Sequence, residues 1–367
     1  MAAELEQTME SIGTYTVHGH AHTVASAHES WTRPVLIHDA KPGVVQRACW
    51  PRAAADQVTL DCGSWRRHVA TAQRPSELGG DDGLLGVTLT QWASGFPPGA
   101  TLLAPSGFVP AEDWGTLQAQ VRHWTQESVD RVIPFIPTDQ GMLRRGSRDQ
   151  FVDQVSALPE GPVALLFAAK GEGLQSSEVL DGLRWMVTKL ERVWLVGVQP
   201  LVALDAIAHG AQRAYVGTNS TLRFPSPPGV NGFNKNAKDF VPGLLHPDLL
   251  EMRSPGVYAD WYVTSHAPRC PVCGRSVDGY TPTPGSRLRV VDHNIHAVSQ
   301  ALAALEMDAE FSTPGPASAH HQRIGAALAH LPLSRVLPVS DYDRVLMNLL
   351  RLDRELFPVP DEVSAIL

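Results

Sequence analysis

The chain reads as an α/β protein of repeated strand–helix units, and three observations give that class. Short apolar runs recur at 35–38, 58–60, 101–104, 132–136, 163–168, 193–198 and 214–216. Amphipathic stretches separate several of them, at 114–128, 148–158, 177–190 and 201–209. A length of 367 residues leaves room for seven or eight such units. Alternation of strand and helix implies parallel pairing, and this many units imply a ring closed on itself. The predicted architecture is a (β/α)8 barrel of the TIM type, with an open doubly wound sheet as the alternative.

In chain order, residues 1–58 supply N-terminal strands and the first barrel unit, and 59–258 the rest of the barrel. Pro200 suits the start of the helix over 201–209, because a first-turn N–H has no helical partner to lose. The stretch 224–260 is rich in Pro, Gly and Asn and reads as a long loop or insertion. Residues 259–305 form a compact segment around a cysteine pair, and 306–367 read as C-terminal helices, with breaks at Pro332 and Pro338.

Composition is that of a globular protein: 43% hydrophobic, 19% charged, 7% aromatic. The net charge of −8 disfavours bulk electrostatic attachment to nucleic acid. Any such partner, DNA or tRNA, must be held by a local basic patch. The candidates are Arg66, Arg67, His68, Lys235, Lys238, Arg269, Arg275, Arg287 and Arg289. Four cysteines (Cys49, Cys62, Cys270, Cys273) are too few for a disulfide scaffold in a chain this long. No run nears 18 apolar residues and the first fourteen are polar and acidic, so no membrane span or signal peptide is expected. A cytoplasmic location is the expectation; a homodimer or a partner subunit stays open.

The sharpest motif is Arg269-Cys270-Pro271-Val272-Cys273-Gly274. Two thiolates three positions apart on a tight turn can share one tetrahedral zinc ion, and Gly274 lets the backbone bend toward the sulfurs. His293, twenty positions after Cys273, is the expected third ligand and opens a helical pattern over 294–305. His266 is the first candidate for the fourth, His296 the second. A closed site of this kind is structural; a metal-free cysteine pair on a turn is the alternative.

Here the chain resembles the tRNA-guanine transglycosylases, closest to their divergent branch that places 7-deazaguanine in DNA. That family has Cys-x-Cys-x-x-Cys and then a His-Asn pair. Cys270, Cys273 and His293-Asn294 match, while Pro268 stands at the first family cysteine. Leu60-Asp61-Cys62-Gly63-Ser64-Trp65 is similar to the family's Asp-Ser-Gly-Gly/Ser-Phe segment at a strand end. The resemblance implies that Asp61 contacts a base and takes part in proton transfer, with Gly63 and Ser64 beside it. A helix-capping Asp is the plain alternative. The run 133–139 resembles an Asp-Ile-Pro-Thr segment of the archaeal branch. Phe135 takes the place of its Asp, to stack on a base, and Asp139 is the carboxylate left to act.

The stretches 194–198 and 209–215 resemble the family's strand ending in Gly-x-Gly and the segment that carries its nucleophilic Asp. Gly197 falls in the first; Tyr215 stands at the nucleophile's position. Asn219 and Arg223, just beyond, are candidate substrate contacts, Arg223 for a phosphate. Lys170 ends a strand where the family has a base-reading Gln. The resemblance thus implies exchange of a guanine for a 7-deazaguanine in nucleic acid, with Asp61 or Asp139 as the carboxylate and a structural Zn2+. Two other readings stay open: a non-catalytic homologue that binds nucleic acid or a partner, and a His-Asn-His type nuclease using His293 and His296. His18, His20 and His22 alternate as metal ligands on a strand do, but the later histidines of a barrel amidohydrolase are missing.

Overall fold

Nine parallel strands make one sheet, whose order is β5-β4-β3-β2-β1-β9-β8-β7-β6. The structure, a computed structural model, describes residues 11–17, 34–41, 58–78, 86–171, 173–230, 241–264, 266–311, 315–330 and 343–354. His18, His20, His22, Cys49, Lys235, Lys238, Pro332 and Pro338 lie outside these. The strands are β1 (Ile12–Val17), β2 (Val35–His38), β3 (Val58–Asp61), β4 (Thr101–Leu103), β5 (Val132–Ile133), β6 (Phe135–Asp139), β7 (Val163–Ala168), β8 (Val193–Val198) and β9 (Arg213–Gly217). Most strand residues are fully buried, as expected for strands with the barrel interior on one face and helices on the other.

The sheet's two edges, β5 and β6, are separated in the chain by Pro134 alone. Proline has no N–H to give, so the ladder changes partner there. Residues before it serve β4: the amides of Leu102 and Ala104 donate to Arg131 and Ile133 at 2.8 and 2.9 Å. Those after it serve β7, where Ala164 N–H donates to the Pro134 carbonyl at 2.9 Å. The sheet therefore nearly closes on itself, as a TIM-type barrel does.

Around it lie α1 (Leu89–Ser94), α2 (Trp114–Gln126), α3 (Arg148–Ser156), α4 (Ser177–Leu190), α5 (Pro200–Ala208) and the short α6 (Ser220–Arg223). Local chemistry sets their starts. Thr88 and Gln91 form a capping box for α1, while Asp113 and Ser176 accept the free amides of α2 and α4. The stretch expected to be a loop over 224–260 instead holds a hairpin, β10 (Leu244–Leu245) with β11 (Met252–Arg253), and most of α7 (Pro255–Trp261). Three helices end the described chain: α8 (Arg287–Phe311), α9 (Pro316–His330) and α10 (Arg344–Asp353).

Helix α8 starts six residues before His293, so that histidine does not open it. The cause is the apolar face that Val290 and Val291 already provide. Val291, Ile295 and Val298 lie with Ile12 and Thr14 of β1 and Val216 of β9 around a cavity of only about 30 Å3. Thus α8 covers the wall where the last strand meets the first, the place of a barrel's eighth outer helix. The cysteine segment is inserted between β9 and that helix.

A buried charge network fastens the C-terminal helices. Arg184 of α4 donates from Nε and Nη2 to both oxygens of Asp205 in α5, at 2.9 and 2.7 Å. The same guanidinium holds both oxygens of Asp353 in α10, and His321 Nδ1 of α9 lies 3.0 Å from Asp353 Oδ2. Burial pushes the Asp353 carboxyl up, but the His321 and Arg184 hydrogen bonds and charges outweigh it and hold it below its ordinary value. Beside this network His320 is buried, and burial holds its imidazole down at about 4.

Arg184→Met would strand two buried carboxylates, and urea unfolding should show a loss of about 3–5 kcal/mol. Acid should weaken the fold in two stages. His320 has a folded value below its unfolded one, near 6.5. Its contribution is present above about pH 6.5 and lost as pH falls toward about 4. The Asp353 contribution, also from a lowered value, is lost only below the ordinary carboxylate range. Thermal melts of wild type and His320→Leu between pH 7 and 4 check the first stage, which the variant should show in reduced size, the remainder coming from His246, held down at about 3 by burial.

Candidate functional site

Asp61 ends β3, and the parallel register sets it opposite His38, the last residue of β2. Its carboxylate is enclosed, with the residue 1% exposed. Oδ1 accepts the Gly63 amide at 2.8 Å. Oδ2 accepts the Tyr15 hydroxyl of β1 at 2.6 Å and the Trp65 indole N–H at 3.3 Å. His38 Nδ1 lies 2.8 Å from the same oxygen and 2.7 Å from the Tyr15 hydroxyl. A carboxylate only accepts, so that nitrogen carries the proton it shares with Asp61.

Burial alone would raise the Asp61 pKa. The His38 hydrogen bond and charge, the Tyr15 hydroxyl and the Gly63 amide more than offset this, and the group sits below its ordinary value. Burial and the Asp61 charge together drive the Tyr15 phenol well above its own. Burial and Asp61 also push the Cys62 thiol up to about 12, so Cys62 stays protonated at neutral pH. The arrangement is an ionised carboxylate, fully hydrogen-bonded, at the strand ends where barrel active sites form. It caps no long helix; its turn partner is the Gly63 amide ahead of a single 3-10 turn, Ser64–Arg66.

The rest of this end is tied to Asp61 through that turn. Ser64 is buried, its hydroxyl donating to the Ser106 carbonyl at 2.8 Å. Arg66 lies over the Trp65 ring, 5.0 Å to its centroid, and donates to the Thr221 carbonyl of α6 at 2.9 Å. Asn219 caps α6, accepting Leu222 N–H at 3.0 Å. Arg223 is buried, donates to the Gly217 carbonyl at 3.2 Å, and is drawn down to about 10 by burial. Gly197 sits at the irregularity in β8, against the Leu222 carbonyl and the Tyr15 ring. So Asp61, Gly63, Ser64, Gly197, Asn219 and Arg223 share one end of the barrel.

The other expected residues make no contact with the Asp61 centre, although Asp139 and Lys170 follow strand ends on the same side of the parallel sheet. Asp139 ends β6 and accepts the Gly141 amide at 2.7 Å, as the cap of a 3-10 turn. Lys170 is exposed beyond β7. Phe135 is 0% exposed within the core, so its ring is not open to a base. Tyr215 is equally enclosed; its hydroxyl pairs with Thr59 Oγ1 at 2.9 Å. A β-carbon on Gly13 would lie 2.7 Å from the Tyr215 ring, so the glycine makes room for it.

The second constellation is the Cys270, Cys273 and His293 group, whose ligand atoms all lie within 4.8 Å of one another. A tight knuckle presents the thiols: Cys270 N–H donates to the Arg275 carbonyl and Gly274 N–H to that of Cys270, both at 2.9 Å. Gly274 takes φ 69°, a left-handed value that glycine adopts freely. His293 reaches the group from α8. Its Nε2 lies 3.0 Å from the Leu245 carbonyl, which fixes the proton there and leaves Nδ1, 3.7 Å from Cys273 Sγ, as the metal-facing nitrogen. Asn294 completes the clamp, accepting Leu245 N–H and donating to the Gly243 carbonyl, both at 2.8 Å. Two sulfurs and an imidazole are a donor set for a borderline-soft divalent ion.

His266 is exposed and does not join the group, and neither does His296. The polar side chain that does approach is Tyr280, its hydroxyl 3.6 Å from Cys273 Sγ and its ring 5.2 Å from the His293 ring. Sequence reasoning missed Tyr280, Tyr15 and His38. A polar residue closing the apolar run 35–38 was the available signal for His38.

No family model and no curated protein matches the chain. Among solved structures, it is similar to the carboxyl transferase domain of Rhizobium etli pyruvate carboxylase with 3-hydroxypyruvate, at 11% identity and a TM-score of 0.25. That alignment spans 96% of this chain and 62% of the other, and a likeness this slight says nothing about activity.

His293→Ala and Cys270→Ser should each reduce bound metal from about one ion per chain to a small fraction and lower the melting temperature. Elemental analysis of the purified protein with parallel melts checks both. Full metal retention in either variant would remove that residue from the ligand set.

Proposed function

We propose that the chain is a transglycosylase-type barrel protein that exchanges a guanine for a 7-deazaguanine base in nucleic acid, DNA in preference to tRNA. The single observation that carries this reading is the Asp61 centre, an ionised carboxylate oriented by Tyr15, His38, Gly63 and Trp65 at the strand ends. The Cys270, Cys273 and His293 group beside the eighth outer helix supports it, with Zn2+ as the structural ion suited to that donor set.

In the proposed reaction a flipped-out nucleotide docks at this end of the barrel. A carboxylate oxygen attacks the anomeric carbon while the glycosidic C–N bond breaks, and the departing guanine takes up a proton. The incoming deazaguanine loses its ring N–H proton and attacks the same carbon, releasing the carboxylate. Asp61 is closed over here, so entry requires the Ser64–Arg66 turn, with Trp65 and the Arg66–Thr221 bond, to swing aside. Arg66 and Arg223 would then meet backbone phosphate.

A second reading is favoured by Tyr215. Its enclosed ring occupies the position where the resembled family carries its nucleophile, which suits a non-catalytic homologue that binds nucleic acid or a partner subunit.

A trapping experiment separates the two. Incubation with guanine-containing DNA or tRNA and a 7-deazaguanine, then denaturing electrophoresis, should show a covalent adduct. Asp61→Asn should abolish it, and Asp139→Asn should reduce it only a few-fold, because Asp139 already serves as a turn cap. Loss with Asp139→Asn alone would move the nucleophile to Asp139. Absence of an adduct with retained binding would favour the non-catalytic reading.

A further inference from the structure

A groove of about 830 Å3 opens outside the barrel, apart from the Asp61 centre and bordering the cysteine knuckle, whose Pro268, Arg269 and Pro271 help line it. Leu204 of α5, His246, Tyr262, Arg269, and His320 and Arg323 of α9 line it. Its size falls within the roughly 300–1,000 Å3 of small-molecule sites.

Hydrogen-bond directions show a donor waiting there. His246 Nδ1 accepts the amides of Asp248 and Leu249 at 3.3 and 3.2 Å, so the ring proton is on Nε2. That Nε2 lies 2.7 Å from the Tyr262 hydroxyl and donates to it. A phenol oxygen that accepts keeps its own hydrogen to give, and among the described residues no acceptor takes it. His320, also in the lining, is only 4% exposed, and its enclosed Nε2 atom has no partner among the described residues. An enclosed ring nitrogen without a partner is costly, which points to a ligand that supplies one.

The charge around the groove is mixed: Asp248, Glu251 and Asp278 act on Tyr262, while basic side chains stand on the other lining elements. Arg269 is exposed at its rim, as is His266, and Arg323 donates to the Ala304 carbonyl at 2.9 Å from within. The one lining acid, Asp248, is exposed. Guanidinium groups and a phenol donor suit phosphate oxygens, and an imidazole edge suits a polar ring.

We propose that this groove binds a free phosphorylated ligand of mononucleotide size, with Tyr262 and Arg269 on the phosphate and His320 on the organic part. The assignment does not depend on the base-exchange reading. Titration calorimetry of the metal-loaded full chain with adenosine 5′-monophosphate tests it, alongside inorganic phosphate and a single-stranded oligonucleotide. Saturable nucleotide binding is expected, weaker for phosphate alone. Tyr262→Phe and Arg269→Ala should each weaken it about tenfold, since a charge-assisted hydrogen bond is lost. Phe keeps the ring but leaves the buried His246 Nε2 proton without its acceptor, and Arg269 adjoins Cys270, so melts and metal content of both variants are measured in parallel, and only affinity lost with both unchanged counts. Asp61→Asn should leave it unchanged, so failure here and failure of the base-exchange reading are separate results. No nucleotide binding up to about 1 mM, unchanged affinity in both variants, or binding of the oligonucleotide alone would overturn the proposal.

Discussion

An ionised carboxylate enclosed at the end of a barrel is the constraint around which the rest is arranged. Taking such a charge out of water is costly unless donors replace the water. Asp61 obtains them from four separate residues, Tyr15 on β1, His38 on β2, and Gly63 and Trp65 on the turn it begins. These bonds exist only if β1, β2 and β3 are paired in one register, since a slip of one residue would turn His38 to the opposite face. The charge therefore specifies the fold at that end as much as the fold positions the charge.

The inserted segment is coupled to the same barrel by other means. His293 and Asn294 lie on the helix that seals the wall between β9 and β1, and both hold the backbone at Gly243 and Leu245. A metal ion on Cys270, Cys273 and His293 would cross-link the knuckle to that helix and stabilise the closure of the ring. Beyond the helices packed against that one, Arg184 bonds two carboxylates from α5 and α10 in one buried network. Three polar clusters thus fix what hydrophobic packing leaves adjustable.

Much of the barrel was legible because parallel strands are buried on both faces and write continuous apolar runs. Val163–Ala168 and Val193–Val198 stand where those runs are, and Ser177–Leu190 spans the predicted helix. The metal group was legible for a local reason, since two of its three ligands share one turn. What escaped was non-local. Tyr15 and His38 are ordinary strand residues until the register sets them against Asp61, and no spacing in the chain encodes that. Arg184, Asp205 and Asp353 meet across 169 positions of sequence. The tautomer that leaves Tyr262 a free donor follows from two backbone amides, which a sequence cannot show. Phe135 was assigned to a ligand because aromatic rings stack on bases, and Tyr215 because it stands at the resembled family's nucleophile position, but both rings fill the interior.

The state of one carboxyl group tests the account most directly. In protein labelled with 13C at aspartate carboxyls, the Asp61 signal is the one missing from Asp61→Asn. Followed by NMR from pH 7 downward, it should keep its ionised shift until below the ordinary carboxylate range, and Tyr15→Phe should move its midpoint upward. An Asp61 signal already protonated near neutral pH would contradict the account, because the group would then be a neutral buried acid with no charge for the surrounding donors to hold.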